Sequence, residues 1–268
     1  MREGYYVTRT YAAGKVGEKI KFFVPGRKPD RTTRRAKSEV KKQEQNAYST
    51  EKRLARLLNA NFGPGDLLMG LDYSKAGFKR LLAAAALPAD ISEEEGAARI
   101  RKAAERELRL VLRRVKRELE KEGISLRYVA ITSDMDGSTG ETVRIHHHLV
   151  VPAAAKEAFK KKWAVLGGVD WSPLEDQDDY TAIAEYFIRQ VRHVPDEKKY
   201  IPSRNLIRPQ PKDRIAAGGA ELRVPRDGKL LYRSEFRPGQ PQYIRYVLPE
   251  AKRTRACAGA GRRGEERT

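Results

Sequence analysis

Thr142–Val151, TVRIHHHLVV, is the stretch on which the reading of this chain turns. β-branched and apolar residues flank three consecutive histidines, and Pro152 ends the run, so the segment predicts a strand. Alternate side chains on a strand share a face, which points His146 and His148 one way and His147 the other. Just upstream, Leu126–Ser133 (LRYVAITS) is also β-branched and aromatic, and DMDGSTGE between the two is a turn. Together they predict an antiparallel hairpin.

Working outward, Ala153–Leu166 reads as a helix, Gly167-Gly168 as a turn and Val169–Leu174 as a short strand. Asp178 or Asp179 can cap a helix over Tyr180–Arg192. On the other side, Ser92 and Glu95 have capping-box spacing. Ile100, Ala104, Leu108, Val111, Val115 and Leu119 then form one helical apolar stripe, which Gly123 ends. Asp66–Tyr73 reads as a strand and residues 51–58 as a helix. The order β-α-β-β-α-β-α predicts an α+β fold, a ferredoxin-like split βαβ with a central antiparallel sheet and helices on one face. Residues 221–248 add one or two accessory strands (ELRV, LLYRSEF, QYIRYVL). The expected organisation is a basic N-terminal extension over 1–50, a main domain over 51–215, accessory strands over 216–250 and a disordered basic tail over 251–268.

The chain has 268 residues, with 55 Lys+Arg against 36 Asp+Glu and a formal charge of +19. Such a balance points to a polyanionic partner, nucleic acid first. The run at 27–42 (RKPDRTTRRAKSEVKK), with Arg31, Arg34, Arg35 and Lys37, suits phosphate contacts as well as it suits a solvated arm. The segment at 198–214 adds Lys198, Lys199, Arg204 and Arg208, with Tyr200 able to stack on a base. No run approaches the ~20 apolar residues that cross a bilayer, and MREGYYVTRT has no signal-peptide core. The single cysteine, Cys257, excludes a disulfide scaffold or a cysteine zinc site. A cytoplasmic protein with no membrane partner is expected.

His146 and His148 on one strand face can jointly bind a divalent metal, which then needs an oxygen ligand. Asp134, Asp136 and Glu141 all lie near the hairpin turn. Asp134 is the first choice because it ends the facing strand; both aspartates are equally readable as turn residues. On the 180–192 helix, Ile183, Ala184, Phe187, Ile188 and Val191 make the apolar face, with Tyr180 at its centre and so in the core. Tyr186 lies off that face, with Arg189 and His193 on the same flank. A phenol beside a guanidinium and a metal site can act as a nucleophile.

His146-His147-His148-Leu-Val-Val, followed by a helix, a glycine turn, a strand and Tyr186-Phe-Ile-Arg189, resembles the HUH endonucleases. The likeness is to their single-tyrosine rolling-circle replication initiators of phages and plasmids, and it extends over roughly residues 35 to 210. It differs in carrying Arg189 where that family usually has Lys, and Met69-Gly-Leu-Asp72-Tyr where a Thr-Leu-Thr pattern is usual. The resemblance implies Mg²⁺ or Mn²⁺ on His146 and His148, with Asp134 as a substitute third ligand. It also implies attack by Tyr186 on single-stranded DNA at a replication origin, leaving a 5′-phosphotyrosyl link, with Arg189 assisting. With no phosphate loop of its own, such a protein would work with a host helicase and polymerase. Two other readings fit the same charge: a non-catalytic basic nucleic-acid-binding protein, and a transposase or mobilisation nickase with the same chemistry.

Overall fold

The structure is a computed structural model that describes residues 4–26, 39–191, 198–216, 220–235, 237 and 240–250. Arg31, Arg34, Arg35, Lys37, His193 and the tail at 251–268 lie outside the described residues. The chain is α+β, with two antiparallel five-stranded sheets, and it divides into two compact units.

The larger unit comprises residues 62–176 and 183–206. Its strands are β3 (Leu67–Tyr73), β4 (Val129–Met135), β5 (Thr142–Val151), β6 (Gly167–Pro173) and β7 (Ile201–Pro202), in the order β6-β3-β5-β4-β7. The strand expected from the histidine run is observed with the same limits. Helices α2 (Lys75–Ala85), α3 (Glu93–Lys121) and α4 (Lys156–Trp163) belong to this unit, and α4 is preceded by a 3₁₀ turn at Ala153–Ala155. Ser92 caps α3 by accepting from the Glu95 N–H at 3.3 Å, and Gly123, at φ +73°, follows its end. The reason for a 29-residue helix is the apolar stripe: Ala104, Leu108, Val111, Val115 and Leu119 are buried in one core with Leu81 and Phe159 from α2 and α4. That core takes Met69, Leu71 and Tyr73 from β3 and Ile145, Leu149 and Val151 from β5. The strand residues between them turn to the sheet's other face. Helix α5 (Thr181–Arg189) is shorter than the Tyr180–Arg192 expected.

The second unit corrects the expected organisation. Residues 1–50 are not simply a basic extension, because β1 (Tyr5–Ala13) and β2 (Val16–Val24) form a hairpin with Gly14 at φ +57° in its turn. Their sheet is completed by β8 (Lys212–Ala216), β9 (Lys229–Arg233) and β10 (Gln242–Val247), in the order β8-β1-β2-β10-β9. The accessory strands and the N-terminal strands are therefore one unit, residues 1–61, 177–182 and 207–268, and ELRV is not one of its strands. Helix α1 (Glu39–Asn61) belongs here, and its Arg56 donates to Glu18 of β2 at 2.7 Å in a buried ion pair.

Candidate metal and tyrosine site

The site sits on the sheet face that α2, α3 and α4 leave uncovered. The ladder sets His148 opposite Ile131 and Gly70, and His146 opposite Ser133 and Asp72. His146 and His148 thus share a face, as their spacing requires, and their Nε2 atoms lie 3.1 Å apart. His146 Nδ1 faces the Arg144 carbonyl at 3.0 Å. A carbonyl only accepts, so Nδ1 carries the proton and the Nε2 lone pair is left pointing at His148. Two such nitrogens at this distance need a proton or a cation between them. Two adjacent ligands of an octahedral ion at ~2.1 Å lie about 3.0 Å apart, so the spacing fits a shared divalent cation. Among the described residues, no three His, Cys, Asp or Glu side chains are gathered tightly enough to hold a metal. A cation shared by these two nitrogens would take its remaining ligands as oxygens from nearby.

Tyr186 stands above this pair. Its hydroxyl is 3.4 Å from His148 Nε2, and its ring packs edge-on against the His148 ring, with centroids 5.3 Å apart. Asp179 Oδ1 accepts from the backbone N–H of Thr181 at 2.9 Å, supplying the cap at the start of α5. At the other end, Ser133 Oγ on β4 donates to the Gln190 carbonyl at 2.6 Å. Tyr180 is buried, as its place on the apolar face predicts, while Tyr186 is 36% exposed. Desolvation pushes the His148 pKa down to about 4, with His146 pushing the same way and Gln190 opposing. His148 is therefore a neutral imidazole at pH 7, the form that ligates a metal.

Asp134 does not join the site. A bulge falls between Ser133 and Met135, and Asp134 pairs with Arg101 of α3 at 3.0 Å. Asp72, the ladder partner of His146, is an acid on the histidine face, and it lines the same open cleft as His146, His148 and Tyr186. The signal for Asp72 is the alternation Leu68, Gly70, Asp72 between buried Met69, Leu71 and Tyr73. Asp136 accepts from Ser138 and Thr139 in the turn, and those hydrogen bonds, Ser138 first, hold its carboxyl below the usual range. It is a turn residue that also borders the cleft. Arg189 is exposed and is not among the cleft-lining residues, whereas Gln190, one residue on, is buried and lines it.

His147 goes the other way. It is fully buried, with Nδ1 2.9 Å from Thr132 Oγ1 and Nε2 3.2 Å from the Tyr73 hydroxyl. Desolvation, with the neighbouring histidines behind it, pushes its pKa down to about 3. Lys198, Lys199 and Tyr200 line a separate small recess with Arg101 and Thr132, and burial pushes the Lys199 pKa down. Arg204 and Arg208 are both exposed.

No protein-family model, curated protein or solved structure matches this chain. Its site is therefore read from its own residues.

Proposed function

We propose that the chain is a metal-dependent tyrosine endonuclease and strand transferase acting on single-stranded DNA, of the HUH type, in the role of a rolling-circle replication initiator. The observation that carries this reading is the convergence of three groups: two imidazole Nε2 atoms 3.1 Å apart and a half-exposed phenol 3.4 Å from one of them. The sheet order β6-β3-β5-β4, reached through β-α-α-β-β-α-β, supports a ferredoxin-like split βαβ as its frame.

His146 and His148 would hold Mg²⁺ or Mn²⁺, with Asp72, the ladder partner of His146, as an oxygen donor on that face. When bound, the ion supplies Lewis-acid polarisation of a phosphate oxygen. The phenol oxygen of Tyr186 forms a bond to phosphorus as the bond from phosphorus to the 3′ oxygen breaks. The phenol gives up its proton and the departing 3′ oxygen takes one up, so the exchange of one phosphodiester for another needs no redox partner. The packing of Tyr186 against His148 fixes the ring on a helix edge, where in-line attack is held better than in a loop. Gln190 supplies a polar side chain on the wall of the cleft, where the sequence pattern places Arg189. The partners that follow from this reading are an origin strand and a host helicase and polymerase.

The test is incubation with labelled single-stranded DNA and Mn²⁺, a denaturing gel, and mass spectrometry of any adduct. A covalent link mapped to Tyr186 is the expected result. A chain that binds DNA with no metal-dependent cleavage would instead be the non-catalytic basic binder.

A further inference from the structure

Helix α3 covers the sheet on the side away from the cleft, and the middle of its outer surface, residues 99–117, is dominated by cations. Between residues 99 and 117, nine residues are exposed; eight are Arg or Lys, and the ninth is Leu110. Arg99, Lys102, Arg106, Arg109, Arg113 and Lys116 are spaced 3, 4, 3, 4 and 3 apart, which at 100° per residue confines them to about 100° of arc. They form a straight row about 26 Å long at ~1.5 Å per residue.

A merely solvated helix face mixes the two signs and gains from pairs four residues apart. Here Arg109 reaches Glu105 at 3.5 Å and Lys116 reaches Glu120 at 3.4 Å, both exposed pairs of little energy. They leave the single-sign row in place. The apolar side of α3 is already buried in the core, so the helix has no apolar face to press into lipid. A rigid row of cations fits a rigid rod of anions, and duplex DNA carries one charge per ~1.7 Å of its axis.

We infer that the outer face of α3 is a second nucleic-acid surface that grips the backbone of duplex DNA without reading its sequence. The row spans about eight base pairs at ~3.4 Å each. Because α3 and the histidine pair lie on opposite faces of one sheet, the row holds a stretch of DNA other than the one in the cleft. The inference does not depend on cleavage, and its test does not use the cleft.

Full-length protein in EDTA is titrated with a blunt 20-base-pair duplex across a salt series. The quadruple variant R99Q/K102Q/R106Q/R109Q keeps good helix formers, and circular dichroism checks that it is folded. Its log K against log salt should be flatter by about 0.9 for each phosphate it no longer neutralises. If all four side chains grip phosphate, the fall in affinity between 50 and 200 mM salt should shrink about 100-fold. A control, R53Q/R223Q/R226Q/R237Q, removes the same charge from exposed positions in the other unit, outside the 198–214 segment. An unchanged slope in the α3 variant, or equal flattening in the control, overturns the inference. So does an α3 variant that loses binding to phosphatidylserine vesicles while duplex binding stays intact.

Discussion

His147 and its two neighbours are the same residue type on the same strand, yet they live in different chemistry. His147 lies on the core face, closed off from water and tied to Thr132 and Tyr73 through both ring nitrogens. His146 and His148 lie on the open face with their Nε2 atoms turned toward each other. A buried imidazole with both nitrogens engaged has no lone pair left for a ligand, so its role is to hold the sheet. An imidazole whose Nδ1 is committed to a backbone carbonyl offers its Nε2 outward. The period of the strand, two residues, makes this division.

The sharpest way to test this contrast is through the phenol. Tyr186→Phe should keep metal and DNA binding and lower adduct formation by at least about 10⁴-fold, read on a denaturing gel. Next come the histidines. His146→Ala should lower Mn²⁺-dependent cleavage by more than about 100-fold while changing stability by less than about 0.5 kcal/mol. His147→Ala should do the reverse, costing roughly 2–4 kcal/mol in urea unfolding, because it opens a cavity and takes a hydrogen-bond partner from two buried hydroxyls. Equal drops in stability in the two variants would erase the distinction.

The pH dependence sharpens it further. The folded pKa of His147 is pushed down to about 3, below the unfolded value near 6.5. Above pH ~6.5 neither state binds the proton, and the full stability is present. As pH falls, the unfolded chain takes up the proton first, so stability drops by up to ~1.4 kcal/mol per unit until the folded pKa is reached. A folded His147→Asn variant should show a correspondingly shallower decline between pH 6.5 and about 3.

The two acids give a smaller pair of effects. Asp134→Asn should cost about 1–3 kcal/mol of stability by unpairing part-buried Arg101, with Mn²⁺ affinity unchanged. Asp72→Asn should lower Mn²⁺ affinity about tenfold, the scale set by a supporting ligand, with stability unchanged. The smallest expected effect is at Arg189. Its place outside the cleft predicts that Arg189→Ala lowers cleavage activity less than Gln190→Ala does.

What the sequence discloses depends on how local the signal is. Strand β5 and helix α3 are legible because their periods, their caps and Pro152 lie within or beside the segments themselves. The face division of the histidines follows from the same local period. The alternation along β3 shows only which face Asp72 takes; its place beside His146 comes from the ladder that pairs it with a residue 74 positions on. Asp134 misleads for the same reason: it ends the right strand but takes the wrong face, beyond a bulge. The β1–β2 hairpin is hidden beneath its charge and its mixed composition. Its sheet partners, residues 212–216 and 242–247, are far along the chain.

That last pairing bears on how the protein emerges during synthesis. Tyr6 pairs with Ala216, and Lys21 pairs with Gln242. At a translation rate of ~5–20 residues per second, β1 and β2 would wait roughly 10–45 seconds for those partners. Over that interval the hairpin presents two open edges, each able to pair with a neighbouring nascent chain. The unit that carries the histidines closes earlier, once residue 206 is made. Polysomes crowded with this message are therefore where its misassembly would begin, at the first two strands.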